Sequence, residues 1–248
     1  MSGVITGSAG TTSYDGTDTF NATSATYGST DLLLGGAGND VLNIAATAAV
    51  GPANVVVGIE TINVTTSGIF TGAAFDASGV VGVGTTLNVS NTQAGGNGAF
   101  AVTNAATGLT VNGASNVTAL SVATAASAAV TVNTAVAGAT TVTGTTPTLT
   151  FTGTGASGLT ANSATTVTAT STSTLALTVG AATTVTASST GASTLVNADA
   201  ITTLNLSGNG AANTMTVTAG EAQLLNRVNI SGSQRYPSGG TRSSIIPK

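Results

Sequence analysis

Apolar and polar residues alternate in short segments along most of the chain. Leu120-Ser121-Val122, Val130-Thr131-Val132 and Thr166-Val167-Thr168 are typical, and from about residue 100 to 220 such segments recur every 8 to 11 residues or so. Alternation with a period of two, rich in Val and Thr, is typical of strands of about 4–5 residues. Gly, Ala, Ser and Asn lie between the segments and suit tight corners. No segment carries the apolar stripe of an amphipathic helix, so the pattern predicts an all-β chain.

The short spacing leaves two candidate architectures. A segment with its corner is too short for a strand–helix unit, but two of them make one turn of a parallel β-solenoid, with about 18–20 residues per turn. An antiparallel β-sandwich is the alternative. A sandwich of this length needs a thick core of large side chains, whereas the chain has five Phe, three Tyr and no Trp. A solenoid needs only one Val or Leu and a few Ala on each side of a turn, and it is the architecture we predict.

Charged residues are rare and unevenly placed. The 248 residues include eight Asp and Glu and four Lys and Arg, with no His, Cys or Trp. Every base lies at Arg227 or later, and residues 77–198 contain no ionisable side chain. Disulfides, Cys or His metal centres, His-dependent catalytic triads and a Schiff-base lysine within the body are therefore excluded. The body also lacks the cations that bind phosphates, so we expect no nucleic-acid partner.

Three regions differ in composition. Residues 1–45 hold four of the eight acids, residues 46–230 are rich in Thr, Ala and Val, and residues 231–248 lose the alternation and hold three of the four bases. The last region is predicted to be an irregular basic tail.

No apolar run approaches the 18 or so residues of a membrane-spanning helix, so we expect no membrane span. The first residues lack the basic start and apolar core of a cleaved signal peptide, which predicts either retention in the cell or export by a route that does not use one.

One segment of the first region carries candidate chemistry. Residues 35–43, Gly-Gly-Ala-Gly-Asn-Asp-Val-Leu-Asn, fit the nonapeptide G-G-x-G-x-D-x-U-x at every fixed position. The glycines allow a tight turn that points carbonyls into one loop, Asp40 supplies an anionic oxygen, and Leu42 anchors the next strand. A degraded copy lies upstream, where Asp18 aligns with Asp40 and Phe20 with Leu42. Stacked loops of this kind supply the oxygen ligands that Ca²⁺ prefers.

The acids of the first region cluster around these two loops. Asp15, Asp18, Asp31 and Asp40 all lie in this region, and no base lies near them in the sequence. Without a cation, these carboxylates would repel one another. We therefore expect calcium as a cofactor. The structural alternative is an ordinary Gly-rich corner capped by Asp40.

The nonapeptide resembles that of the repeats-in-toxin (RTX) calcium-binding family, and the wider chain is similar to the surface-layer proteins of Gram-negative bacteria that carry such repeats. The resemblance implies a calcium-stabilised right-handed β-solenoid, export by a type I apparatus without a cleaved signal, and lateral self-assembly on the cell surface. It also implies that Asp18 and Asp40 are side-chain ligands of calcium, with carbonyl ligands from the loop around Gly36 and Gly38. The resembling segments are residues 16–20, 31–43, 58–64, 75–79 and 201–208.

The remaining acids have simpler predicted roles. Glu60 is expected at an exposed strand position, with a lateral calcium ligand as the alternative. Asp76 and Asp199 precede small-residue corners and are expected to cap turns. Paired carboxylates can hydrolyse glycosides, but no aromatic platform for a sugar accompanies the acids of the first region. We predict no enzyme activity.

Several Thr-x-Thr strings have Val between the two Thr residues. With Val directed inward, stacked turns would form an outer ladder of hydroxyls and methyls, the kind of surface that an ice-binding solenoid uses. Alternatively, Thr is simply a good strand former that keeps an uncharged face soluble. Because the segment spacing varies, we expect the ladder to be broken and favour the second interpretation. The strings lie at residues 141–143, 166–168, 184–186 and 216–218.

Together these features predict a non-enzymatic structural protein that self-assembles into an extracellular surface layer or filament stabilised by calcium. The expected partners are copies of the same chain, and cell-surface polysaccharide is a further candidate. One alternative is a viral head-decoration or fibre protein located in the virion. Another is an ice-binding or adhesin module. Lateral contacts of the nearly neutral sides would rest on hydroxyls and small apolar patches, and they would depend little on salt.

Overall fold

The chain winds into a coil of parallel strands. The computed structural model describes residues 16–51, 55–67, 71–82, 84–92, 98–114, 116–135, 138–191, 193–197, 199–208, 214–218 and 227–231. This part contains 22 strands and no helix. Every pair of neighbouring strands is parallel. The predicted β-solenoid is therefore confirmed, and the antiparallel sandwich is excluded.

An 11-stranded sheet, here called the long sheet, runs the length of the solenoid. Each turn contributes one strand to it, and the strands follow one another in chain order. Its strands are β1 (Thr19–Thr23), β3 (Val41–Ala46), β5 (Thr61–Thr66), β8 (Thr86–Asn91), β10 (Thr110–Gly113), β12 (Val130–Thr134), β14 (Thr146–Gly153), β16 (Ala164–Ser171), β18 (Thr184–Ser189), β20 (Thr203–Gly208) and β22 (Arg227–Ser231).

Two further sheets close the turns. The second sheet has eight strands: β6 (Thr71–Asp76), β9 (Ala99–Ala105), β11 (Ala119–Thr124), β13 (Ala139–Thr143), β15 (Ser157–Thr160), β17 (Leu175–Thr178), β19 (Ser193–Asn197) and β21 (Thr214–Thr218). The short sheet has three strands in the first turns: β2 (Leu32–Leu34), β4 (Val55–Val57) and β7 (Val80–Val81).

Alternate side chains of each strand fill the core. In β5 half-buried and buried positions alternate along the whole strand, with Ile62 and Val64 fully buried and Thr61 and Asn63 facing outward. The core is one continuous cluster of mainly Val, Leu, Ile and Ala. Burying a Val or Leu side chain stabilises the fold by about 1.5–3 kcal/mol, so a thin stack of them suffices.

Turn length varies along the solenoid. Thr150, Thr168 and Thr186 are successive partners in the long sheet, and the turns between them have the predicted length. Thr61 and Thr86 are also successive partners, but the turn between them is longer. The longer turn includes strands of all three sheets, whereas turns from β10 onward have only two described strands. Extra residues therefore enlarge the corners and sides of early turns while the register of the long sheet continues.

Candidate functional site

The first three strands of the long sheet are each preceded by an acidic residue. Asp18 precedes β1, Asp40 precedes β3 and Glu60 precedes β5, and the strand register stacks them in one column. We call these three residues the acidic column. The register also pairs Phe20 with Leu42. The predicted alignment of the two nonapeptide copies is therefore confirmed.

Each later acid of the column binds the backbone of the preceding turn. Asp40 Oδ1 accepts the N–H of Asp18 at 2.7 Å, and Glu60 Oε2 accepts the N–H of Asp40 at 2.7 Å. Backbone bonds run alongside, since the N–H of Val41 donates to Asp18 O at 2.8 Å and that of Thr61 to Asp40 O at 3.1 Å. Hydrogen bonds to an ionised carboxylate are stronger than neutral ones, so the column ties the first three turns together.

Asp40 is the most buried member of the column. Its side chain is 0 % exposed, and its second carboxylate oxygen, Oδ2, is buried without a hydrogen-bond partner. In the described part of the chain Arg227 is the single base, and it lies in β22 at the opposite end of the long sheet. A buried carboxylate oxygen without a partner is costly, and a cation beside it would offset that cost.

Gly35 packs closely against this oxygen and against the next turn. A Cβ atom added to Gly35 would lie 2.6 Å from Asp40 Oδ2 and 1.8 Å from the carbonyl oxygen of Gly58 in the next turn. A carboxylate oxygen and a carbonyl oxygen therefore both lie close to Gly35. Such hard oxygens are the donor type that Ca²⁺ prefers, and binding of the predicted ion here stays a prediction.

The glycines of the nonapeptide also have a structural role. Gly36 and Gly38 have φ angles of 94° and 139°, which favour glycine. A Cβ atom on Gly38 would lie 2.1 Å from Gly16 O in the preceding turn, and the N–H of Gly16 donates to Ala37 O at 2.8 Å. Contact between successive corners accounts for these glycines by itself. Ligation by the carbonyls of Gly36 and Gly38 stays a prediction.

The other predicted ligands do not join the column. Asp31 is buried at the corner before β2, where its Oδ2 accepts the N–H of Gly28 at 2.8 Å and its own N–H donates to Gly28 O at 3.0 Å. Asp31 thus closes a turn. Asp15 lies outside the described residues. Within the described residues, no group of three acidic side chains could hold a metal ion, so carbonyls must supply much of any coordination.

Sequence reasoning missed two residues that lie at the candidate site, Glu60 and Gly58. Glu60 was expected at an exposed strand position, but it is half-buried and bonded to the Asp40 amide. The sequence does contain an indication of this role. Glu60 directly precedes the strand Thr61–Thr66, just as Asp40 directly precedes the strand Val41–Ala46, and the two strands share the same alternation. Nothing in the sequence indicates that Gly58 lies at the site, apart from its position two residues before Glu60.

Asp76 caps a turn, as predicted. Its Oδ1 accepts the N–H of Ser78 at 2.9 Å and the Nδ2 of Asn104 at 3.0 Å. Burial raises the pKa of Asp76, but the Asn104 and Ser78 donors outweigh it and leave this pKa below its ordinary value. Asp199 is exposed.

A ladder of asparagines runs along the outer face of the long sheet. Each side-chain amide donates from its Nδ2 to the Oδ1 of the preceding turn's asparagine, at 2.8 to 3.1 Å. All of these bonds point in the same direction along the solenoid axis. Members of this Asn ladder are Asn21, Asn43, Asn63, Asn88, Asn112 and Asn133.

A threonine array replaces the ladder further along the same face. The outward positions of β14, β16 and β18 carry Thr or Ser in three adjacent columns, and no register shift interrupts them. Of the four Thr-x-Thr strings, 166–168 and 184–186 stack as neighbours in the long sheet, whereas 141–143 and 216–218 lie in strands of the second sheet, so the four strings do not form one continuous ladder. The Thr array consists of Thr148, Thr150, Thr152, Thr166, Thr168, Thr170, Thr184, Thr186 and Ser188.

The short sheet exposes aliphatic side chains. Leu34, Val57 and Val81 are partners in register and are 40 %, 38 % and 55 % exposed. They are the exposed large hydrophobic residues of the described part of the chain. This aliphatic column and the uncharged sheet faces are the surfaces available for contact.

Comparison with models of protein families, with curated proteins and with solved structures gave no match. Among the described residues, no helix could span a membrane. The fold and the geometry above are therefore the basis for a functional proposal.

Proposed function

We propose that the protein is a non-enzymatic structural β-solenoid that assembles with copies of itself into an extracellular layer or filament. The observation that most supports this proposal is the outer face of the long sheet, which keeps its register over 11 strands. Its side chains are mainly Asn, Thr and Ser, and no ionisable side chain lies between Asp76 and Asp199. Such a face does not repel a second copy and offers hydrogen bonds to it.

The size of this face is adequate for a specific contact. Eleven strands spaced by about 4.8 Å, each offering roughly 5 residues of about 3.3 Å, give a face on the order of 900 Å². A standard protein–protein interface buries about 800 Å² on each partner. The aliphatic column of Leu34, Val57 and Val81 adds apolar area on another side.

In this proposal, calcium stabilises the first turns of the solenoid. A cation beside Asp40 Oδ2 would satisfy the orphaned oxygen and relieve repulsion within the acidic column. The ion would stabilise the folded chain without binding the unfolded one comparably, so its loss should loosen the first turns before the rest. The remaining turns are held by the uncharged core.

Sedimentation velocity tests assembly and its calcium dependence together. Purified protein is run with millimolar Ca²⁺, with Mg²⁺ and after EDTA. We expect large species in Ca²⁺, and smaller species in Mg²⁺ or EDTA. A single monomer boundary in all three conditions would contradict the proposal.

The variant Asp40→Asn tests the site itself. Its amide oxygen can still accept the Asp18 N–H, but the buried charge is gone. We expect wild type to gain several degrees of melting temperature from Ca²⁺ and the variant to gain none, since one kcal/mol shifts the midpoint by about 2–4 °C in a chain of this size. Asp199→Asn, at an exposed carboxylate, is the matched control and should respond like wild type.

The Thr array favours ice binding as a second candidate function. Its hydroxyls and methyls repeat by about 4.8 Å between strands and by about 6.7 Å along each strand. A regular array of hydroxyls and methyls can order water at its surface. Thermal hysteresis in cold buffer is the test, with Thr168→Lys expected to abolish it. Thr160→Lys, at an exposed position in the second sheet, is the control.

A further inference from the structure

The two ends of the long sheet carry complementary strands. β1 and β22 are its terminal strands, and each has a neighbour on one side only within the described residues. Thr19, Asn21 and Thr23 of β1 are exposed, as are Arg227 and the alternate positions after it in β22. The free edge of a strand is a template for pairing with another chain.

We propose that copies join head to tail, with β22 of one copy pairing in parallel with β1 of the next. This inference rests on the proposed self-assembly and specifies its geometry. All strands of the long sheet run parallel, so translation along the solenoid axis brings these two edges together without reversing either strand. The contact joins different surfaces of the two copies, and a contact of that kind propagates into a filament when the rotation does not close.

The residue patterns of the two strands match in register. Pairing Arg227–Ser231 with Thr19–Thr23 places Asn229 opposite Asn21. Within one copy, Asn229 Nδ2 already donates to Asn205 Oδ1 at 2.6 Å. The junction would therefore continue, from one copy into the next, a type of contact that the outer face uses repeatedly.

The direction of the side-chain hydrogen bonds also supports pairing of β22 of one copy with β1 of the next. In the Asn ladder each amide donates toward the preceding turn, and Asn21 accepts from Asn43 at 3.1 Å. Within the described residues Asn21 has no preceding turn to donate to. Asn229 Oδ1 accepts the Nε of Arg227 at 3.3 Å and has a second lone pair available. A donor at one end thus meets an acceptor at the other.

Charge favours this order of the ends. The acidic column begins with Asp18, immediately before β1, and Arg227 is an exposed base in β22. In the proposed register Arg227 lies opposite Thr19, beside Asp18. An exposed ion pair contributes only about 0–1 kcal/mol, so its main effect is to select head-to-tail contact over head-to-head contact.

Disulfide trapping tests the junction, because the chain has no cysteine of its own. N21C and N229C proteins are mixed in Ca²⁺ and oxidised. Residues paired across parallel strands lie within the Cα separation of about 4.4–6.8 Å that a disulfide accepts. We expect a mixed disulfide dimer to form at least tenfold faster than with the control pair N21C and T110C, since Thr110 lies in the middle of the sheet.

Charge reversal is the second test of the junction. D18R alone and R227D alone should each assemble more weakly than wild type, whereas a mixture of the two should assemble better than either alone, because every junction then joins opposite charges. D199R and T160D change the charge at exposed positions outside β1 and β22 and should assemble like wild type. Wild-type assembly with equal trapping of both cysteine pairs, or with no effect of R227D, would overturn the head-to-tail junction and leave the proposed function standing. Monomeric wild-type protein would overturn both.

Discussion

At the scale of single residues, the acidic column shows how one motif supports both a fold and a site. Asp40 accepts the Asp18 amide with one oxygen and leaves the other buried beside Gly35 and the Gly58 carbonyl. The first contact needs only the chain itself. The second leaves a buried carboxylate oxygen without a hydrogen-bond partner, which is where we propose that a cation binds.

Gly35→Ala is expected to destabilise the first turns. Its Cβ atom would overlap Gly58 O and approach Asp40 Oδ2, forcing two turns apart. Overpacking of this kind typically costs about 1–3 kcal/mol. Thermal melting measures it, and Gly51→Ala is the matched control because a Cβ atom there meets nothing within 4 Å. Equal melting of the two variants would contradict the described approach of the turns.

Asn104→Gly should change how stability depends on pH. Asn104 has a φ of 56°, which Gly adopts freely, so the variant removes the donor to Asp76 without straining the backbone. The pKa of Asp76 is lowered in the folded state, so its contribution is present above the ordinary pKa of 3.8 and is lost as pH falls through the folded value.

We therefore expect the variant to be less stable than wild type near pH 7, by at most about 1 kcal/mol at this half-exposed site. The difference should vanish once Asp76 is protonated. Denaturant unfolding at several pH values measures it. A difference that persists unchanged into strong acid would exclude the carboxylate as its source.

The sequence was sufficient to identify part of this site. Asp18 and Asp40 aligned because both precede a strand with the pattern apolar–Asn–apolar, and that alignment requires no tertiary information. Glu60 was predicted to lie on the surface because its contact depends on which turn lies beneath it. Register from one turn to the next is a property of stacking, which a local pattern does not encode.

At the scale of strands, the Asn ladder stabilises the first six turns of the long sheet. Asn112 donates to Asn88 at 2.8 Å and accepts from Asn133 at 2.8 Å. Asn112→Ala should cost about 1–3 kcal/mol, since each hydrogen bond contributes about 0.5–1.5 kcal/mol. Thr110→Ala, in the same strand and on the same face, is the control and should cost under about 1 kcal/mol. Chemical denaturation of both variants checks this, and equal losses would show that the ladder adds nothing.

Alternation with a period of two was enough to predict the strands and their inward residues. Val167 and Val185 are fully buried between half-buried threonines, as the Thr-x-Thr strings indicated. Which of these strings share a sheet was not predictable from their spacing, since 166–168 and 184–186 lie in the long sheet and 141–143 and 216–218 in the second sheet. In a solenoid, a corner absorbs added residues without shifting the strand that follows.

At the scale of the whole molecule, the solenoid combines three features: a thin apolar core, nearly uncharged faces and two chemically different ends. Parallel stacking followed from the short repeat and the scarcity of aromatic residues, both of which the sequence displays. The matching of Arg227–Ser231 to Thr19–Thr23 emerged only once register placed the two segments at opposite ends of one sheet.

Electron microscopy of the purified protein, in Ca²⁺ and after chelation, tests the central claim most directly. Eleven strands at about 4.8 Å give an axial length of about 53 Å for one copy. We predict filaments or sheets with an axial repeat close to that length, which dissolve in EDTA. Isolated particles of one size, the same with and without calcium, would contradict the proposed assembly.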